Sequence, residues 1–190
     1  MPSLPSTRLR RKRAIQRDLA RFIEALRSEA KTAIHLGCGP DRIPGMINCD
    51  AFDDAADMKL GATDLSPFGD GTVDLIETHH MVEHLTSTEA ERALKEWARV
   101  LRPGGWLVVT CPDLEGVAKK FLRADPERRW QSIAPMIYGS QEHAGMFHHS
   151  GYDATRLRQL LEEAGFDVRL TYTPYPARPT PSLLAIAQRR

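Results

Sequence analysis

Short apolar runs that end in glycine or in polar residues constrain the fold of this chain most strongly. Three of them are "TAIHLGCGP", "GMINCD" and "TVDLIETHH", and a fourth, "WLVVTCP", is almost continuously apolar between Gly and Pro. Each has the length of a buried strand that leads into a turn. Segments with helical periodicity separate them. This alternation predicts an α/β fold, a Rossmann-like doubly wound sheet, mostly parallel, with helices on both faces.

Two helices have clear boundaries in the sequence. Thr86-x-x-Glu89 is a capping box that starts a helix of roughly four turns, which ends at "RPGG". A second helix runs from about Asp153 to Glu163 and stops at Gly165. The final strands, "FDVRLTY" and "SLLAIAQ", are joined by a loop too short for a crossover helix. We therefore expect these two strands to pair antiparallel.

Length and composition predict one domain with an N-terminal extension. Residues 1–31 form a basic tail and an amphipathic helix, and residues 32–190 form a single α/β domain with a lid-like insertion at about 123–150. Only about eight residues separate Gly39 from Asn48, so the first crossover must be shortened. We expect the N-terminal helix to cover the face that this shortening leaves bare.

Charge and cysteine usage exclude several classes of protein. The net charge of +1 makes nucleic acid an unexpected partner for the body of the domain. The basic run near the N-terminus is typical of a solvated helix face. Three cysteines without C-x-x-C spacing indicate a reducing, cytoplasmic setting rather than a disulfide framework. No apolar run is long enough to span a membrane.

A glycine turn and three edge residues mark a candidate ligand site. "HLGCGP" places Gly37 and Gly39 where the chain turns sharply and leaves bare backbone. Asp50 ends the second strand, and Asp64 and Leu65 lie at a third edge. Ligands of open α/β sheets bind outside the carboxyl ends of the strands, where these residues gather.

A nicotinamide site is the first alternative for such a turn. It requires G-x-G-x-x-G, but the third glycine position holds Arg42. The acid is also expected about twenty residues after the turn, and Asp50 follows Gly39 after eleven. The sequence therefore does not favour a nicotinamide cofactor.

A zinc hydrolase is the second alternative, because "HHMVEH" contains His80-x-x-Glu83-His84. This spacing matches the H-x-x-E-H pattern of the inverzincins. The histidines, however, follow a strand, and the next helix starts only after Thr86. We expect no metal here and interpret the segment as a loop that Glu83 and His84 brace, with His79 or His80 toward a ligand.

The order of these motifs resembles the class I S-adenosylmethionine-dependent methyltransferases. The resemblance covers roughly residues 32–172 and is most specific in "DGTVDLI", "EHL" and "RVLRPGG", in this order and spacing. It implies a methyltransferase that binds S-adenosyl-L-methionine and moves its methyl group to a small-molecule or sugar-containing acceptor.

The resemblance also implies a set of cofactor-binding residues. Asp50 would bind the ribose hydroxyls, and Asp64 the adenine amino group. His35 stands where many relatives carry an acid. The other implied neighbours of the cofactor are Gly37, Cys38, Gly39, Pro40, Ala51, Leu65 and His80.

The insertion at about 123–150 would cover the methyl group as a lid. Where the acceptor is a hydroxyl, a base must take its proton. The candidate catalytic residues are His143, His148, His149 and Tyr138. The alternatives that stay open are a non-catalytic S-adenosylmethionine-binding module and a zinc hydrolase that uses His80, Glu83 and His84.

Overall fold

The computed structural model describes residues 7–175 and 181–190. Residues 1–6 of the predicted basic tail and residues 176–180 of the proline-rich loop lie outside the described residues. The strands are β1 (Ala33–Leu36), β2 (Ile47–Asp50), β3 (Met58–Lys59), β4 (Val73–His79), β5 (Leu101–Pro112), β6 (Phe166–Tyr175) and β7 (Ser182–Arg189). The helices are α1 (Thr7–Glu29), α2 (Ser87–Val100), α3 (Leu114–Arg123), α4 (Pro126–Arg128), α5 (Ala134–Tyr138) and α6 (Ala154–Glu163).

The seven strands form one sheet in the order β3-β2-β1-β4-β5-β7-β6. The first five pair in parallel, and β7 runs antiparallel to both β5 and β6. This confirms the predicted mostly parallel, Rossmann-like sheet with an antiparallel final strand. In the register, Leu36 of β1 faces Cys49 of β2 on one side and Thr78 of β4 on the other. The carboxyl ends of these three strands therefore lie at one edge.

The shortened first crossover is also confirmed, because residues 37–46 contain no helix. Instead α1 covers that face of the sheet, and its Ile23 and Leu26 are buried in one core cluster with Leu75 and Val108. The docked part of α1 lies in its C-terminal half. Ile15, near the helix start, remains exposed.

Helices α2 and α6 bury their apolar faces on the opposite side of the sheet, in a cluster around Trp97. Both start as predicted: the capping box of Thr86 and Glu89 has both hydrogen bonds, and Asp153 caps α6 by accepting from the backbone N–H of Arg156. Helices thus lie on both faces. Among the described residues, no helix has the length and hydropathy that crossing a membrane would require.

The insertion at about 123–150 has two parts. Residues up to Tyr138 are helical, since α4, a π-helical turn (Arg129–Ile133) and α5 follow one another directly after α3. The segment is therefore more regular than the sequence pattern indicates. Residues 139–150 are irregular apart from one 3-10 turn (Ala144–Met146), and we call these residues the lid segment.

Candidate functional site

The glycine turn after β1 has a backbone that only glycine adopts easily. Gly37 and Gly39 have φ angles of +67° and +46°. A Cβ atom added to Gly37 would lie 2.2 Å from Cγ of Met81. Positive φ and close approach thus both require glycine at position 37. Met81 packs against this turn.

Asp50 lies at the end of β2, and its carboxylate faces the glycine turn. Its Oδ2 accepts a hydrogen bond from the Gly39 N–H (2.8 Å), and its Oδ1 accepts from the N–H groups of Phe52 (2.7 Å) and Asp53 (3.0 Å). Burial raises the pKa of Asp50, but the three hydrogen bonds outweigh it and hold the pKa below its ordinary value. An ionised carboxylate therefore sits beside the glycine turn. Ala51, which follows it, is exposed.

Asp64 and Leu65 lie in the loop after β3. Asp64 is exposed, and its Oδ1 accepts from the Ser66 N–H (3.0 Å). Leu65 is fully buried, and its N–H donates to Oε1 of Glu96 (2.9 Å). The Leu65 N–H is therefore already engaged, whereas the prediction concerns contact of the Leu65 backbone with the adenine ring. The cofactor roles of both residues stay predictions.

The two histidines after Glu77 have different partners. Nδ1 of His79 lies 3.1 Å from Oγ1 of Thr110, and its Nε2 lies 3.0 Å from Oε2 of Glu77. His80 has a φ of +53°, and its Nε2 lies 3.1 Å from Oγ of Ser182. The His80 ring is thus already engaged, and its predicted cofactor contact stays a prediction.

His35 lies in β1 beneath α1. Its Nδ1 is 3.3 Å from Oδ1 of Asn48, and its Nε2 makes no hydrogen bond among the described residues. Burial, together with the charge of His79, lowers the pKa of His35 to about 4. The structure therefore places a neutral, buried imidazole where a cofactor-binding side chain was expected.

The middle of the lid segment packs against Phe52, the residue that follows Ala51. The Phe52 ring is in contact with Gly145, since a Cβ there would lie 2.7 Å from two Phe52 ring atoms. The rings of Phe52 and His143 are 5.8 Å apart between centroids. The lid segment thus reaches the tip of β2.

The C-terminal end of the lid segment is attached to the 3-10 turn after β4 (Val82–His84). The N–H groups of His149 and Ser150 donate to the carbonyl oxygen of Glu83 at 2.9 and 3.1 Å. Nδ1 of His84 lies 3.0 Å from the carbonyl oxygen of Phe147. The lid segment therefore crosses the edge of the sheet from the end of β2 to the end of β4.

The four candidate catalytic residues are not equivalent in the structure. Tyr138 is 52% exposed, and His143 and His149 are exposed as well. His148 is turned inward and packs edge-on against His84, with ring centroids 4.8 Å apart. Burial lowers the pKa of His148, although the charge of Glu83 opposes this. Which of the four acts as a base stays a prediction.

Among the described residues, the one group able to hold a metal ion consists of Glu83, His84 and His148. It shares two residues with the zinc pattern in the sequence but not His80. The sequence carries no signal for His148 here, because 65 residues separate it from Glu83. The same holds for Met81 over Gly37, a contact that depends on β1 and β4 being neighbours in the sheet.

Comparisons with known proteins agree with this geometry. Residues 22–109 match the family model of a methyltransferase domain. A protein from Mycolicibacterium smegmatis, named a probable S-adenosylmethionine-dependent methyltransferase, is 26% identical over 81% of this chain and 47% of its own length. Residues 22–109 therefore carry a methyltransferase domain, and the chain is similar to S-adenosylmethionine-dependent methyltransferases. The cofactor of this family is S-adenosyl-L-methionine.

Solved structures show the fold of the family in this chain. A methyltransferase from Archaeoglobus fulgidus superposes with a TM-score of 0.61 over 93% of this chain and 94% of that one, at 14% identity. The 1,6-didemethyltoxoflavin-N1-methyltransferase of Burkholderia thailandensis, which holds S-adenosylhomocysteine, has a TM-score of 0.56 over 100% and 93%, at 13% identity. The chain spans less than half of the curated relatives it matches (44%, 20% and 47% of their lengths).

Proposed function

We propose that this methyltransferase domain transfers the methyl group of S-adenosyl-L-methionine to a small-molecule or sugar-containing acceptor. The observation that carries the proposal is the ionised Asp50 beside the bare backbone of Gly37 and Gly39. A carboxylate at the tip of β2 is placed to accept the hydrogen bonds of two ribose hydroxyls. The didemethyltoxoflavin enzyme, a structural neighbour, acts on a small molecule.

Asp50 is held in position before a ligand arrives. The Phe52 and Asp53 N–H groups fix Oδ1, and Oδ2 accepts one hydrogen bond, from Gly39. A carboxylate oxygen accepts about two hydrogen bonds, so Oδ2 retains capacity for one hydroxyl, and Oδ1 accepts a second hydroxyl where the N–H of Phe52 or Asp53 gives way. Preorganisation of this kind lowers the entropy cost of binding.

The positions of the other predicted residues around Asp50 and the glycine turn suggest which part of the cofactor each would contact. Gly37, Cys38, Gly39 and Pro40 would lie beneath the methionine and ribose parts. Ala51, Asp64 and Leu65 would surround the adenine, with His35 below the turn and His80 at the end of β4.

Methyl transfer requires alignment more than acid–base chemistry. The displacement is in line, and the sulfur leaves as a neutral thioether, so the protein must chiefly hold acceptor, methyl group and sulfur in a row. The lid segment, which spans β2 and β4, is placed to exclude water. A hydroxyl acceptor also needs a base, for which His143, His148, His149 and Tyr138 are the candidates. An amine or carbon acceptor needs none.

Calorimetric titration with S-adenosyl-L-methionine tests the cofactor site. Asp50→Ala removes two charge-assisted hydrogen bonds to ribose, together worth about 3 kcal/mol, so affinity should fall about 100-fold. The matched control is Asp54→Ala, an exposed acid four residues along that pairs with Lys59. Unchanged affinity in Asp50→Ala, with a native circular dichroism spectrum, would contradict the site.

Turnover is tested separately. Formation of S-adenosylhomocysteine with a panel of hydroxyl, amine and sugar acceptors would support catalysis. Tight cofactor binding without turnover on the whole panel would instead support the non-catalytic binding module.

A further inference from the structure

Glu83 is a buried carboxylate without a hydrogen-bond partner. The residue is 1% exposed, and neither Oε1 nor Oε2 makes a hydrogen bond among the described residues. Nδ1 of His80 lies 3.4 Å from Oε1 but is not aligned as a hydrogen bond. A buried carboxylate without a hydrogen bond is unfavourable. Its retention at this position points to a ligand that supplies the missing charge.

Two imidazoles lie beside this carboxylate. One nitrogen from each of His84 and His148 lies within 4.8 Å of the other and of a Glu83 oxygen. The rings of His84 and His148 meet at 79°. Two imidazole nitrogens and one carboxylate oxygen are the donors that zinc and similar transition metals prefer, whereas magnesium and calcium prefer oxygen alone.

The hydrogen bond of His84 favours its use as a ligand. Nδ1 lies 3.0 Å from the Phe147 carbonyl oxygen, which can only accept, so Nδ1 carries the hydrogen. In the neutral imidazole with this tautomer, Nε2 keeps the lone pair that a metal ion needs. A carbonyl group that orients the far nitrogen in this way is the usual outer partner of a metal-bound histidine.

We propose that Glu83, His84 and His148 bind one zinc ion, or a similar divalent transition-metal ion, with water in the fourth position. Tetrahedral zinc with bonds of about 2.0–2.1 Å places its donors about 3.3 Å apart. The donors here are within 4.8 Å of one another. Shifts of about 1 Å or less in each side chain would complete the site.

The ion would fasten the lid segment to the body of the domain. Glu83 and His84 belong to the turn after β4, and His148 belongs to the lid segment. The ion would reinforce a junction that now depends on the hydrogen bonds of the Glu83 carbonyl oxygen with His149 and Ser150. The site differs from the hydrolase pattern, since His80 is no ligand, and it does not depend on the methyltransferase reaction.

Zinc titration of the full chain after chelator treatment tests the site. We expect one zinc ion per chain, and a tetrahedral absorption spectrum when cobalt replaces zinc. His148→Ala should weaken zinc binding more than about 100-fold, because loss of even an outer partner costs about 10- to 100-fold. The neighbouring His149→Ala, which removes an exposed imidazole, should bind as the unaltered chain does.

Hydrogen exchange provides the readout for the lid segment. Zinc should slow amide exchange of residues 139–150 in the unaltered chain and in His149→Ala, but not in His148→Ala. Glu83→Gln repeats the test from the other side of the junction, should His148→Ala fail to fold. Absence of stoichiometric zinc, or equal affinity in all variants, would overturn the site. Zinc binding without slower exchange would overturn its role in fastening the lid segment.

Discussion

Two glutamates six residues apart are equally buried but differ completely in their partners. Glu77, in β4, is 0% exposed, and Glu83, just after β4, is 1% exposed. Glu77 accepts from Nε and Nη2 of Arg27 at 2.7 and 2.8 Å, and His79 adds a third contact at 3.0 Å. Glu83 has no hydrogen-bond partner among the described residues.

Glu77 is a buried charge with a structural role, whereas the environment of Glu83 suits a ligand. Burial raises the pKa of Glu77, but Arg27 and His79 more than compensate and hold that pKa below its ordinary value. The Arg27 pair also ties α1 to the sheet face that the shortened crossover leaves open. Glu83 lies at the carboxyl edge, under the lid segment, where an unsatisfied carboxylate is useful only if something binds it.

Arg27→Met should give the largest loss of stability. It leaves Glu77 buried without its main partner, and breaking a buried ion pair from one side costs about 3–5 kcal/mol. The free energy of unfolding in urea measures the effect. Arg17→Met is the matched control on α1, because Arg17 and its partner Asp18 are both exposed, and it should change stability by less than about 0.5 kcal/mol. A loss below 1 kcal/mol for Arg27→Met would show that His79 alone satisfies Glu77.

Lowering the pH from 7 to 5 should have the next largest effect, through His35 beneath α1. The pKa of His35 is about 4 in the folded chain against 6.5 when exposed, so between these values the unfolded chain binds more protons. Stability therefore falls as pH drops from 7 to 5, by about 2 kcal/mol from this group, and the effect levels off below pH 4. Urea unfolding at several pH values measures the slope.

His35→Gln isolates that contribution. The glutamine keeps a polar group near Asn48 but does not titrate, so the pH dependence between 5 and 7 should become flatter. An unchanged slope would mean that His35 is protonated in the folded chain, or that other groups dominate.

Local sequence patterns predicted most of the fold. They predicted little of the difference between Glu77 and Glu83. Neighbours in the sequence determine the capping box at Thr86 and the end of the helix at Gly165. The length of the loop determines the antiparallel pairing of the last two strands. The Arg27–Glu77 pair joins residues 50 apart, and the Glu83–His148 contact joins residues 65 apart. Such contacts depend on how α1 and the lid segment pack, which periodicity does not encode.

The residues of the candidate site also fall into two groups: those that local sequence patterns predict and those that depend on packing. Gly37, Gly39 and Asp50 were predictable, because a sharp turn requires glycine and the ends of adjacent parallel strands meet at one edge. Met81 over Gly37 and Phe52 under the lid segment were not. The helical part of the insertion was also missed, because Pro126 and Pro135 interrupt its pattern, although both are at helix starts, where proline is accommodated.

Glu83→Gln should have the smallest effect, and it tests the comparison most directly. In chelator-treated protein the change removes a buried charge that has no hydrogen-bond partner and keeps the shape of the side chain. The free energy of unfolding should therefore change by less than about 1 kcal/mol, and an increase would fit as well. Urea unfolding with a chelator, repeated with saturating zinc, measures both states. Zinc should stabilise the unaltered chain but not Glu83→Gln, since a ligand stabilises a protein only through the state that binds it. A loss of several kcal/mol in the chelator would mean that Glu83 is a structural residue like Glu77, and the contrast between them would fail.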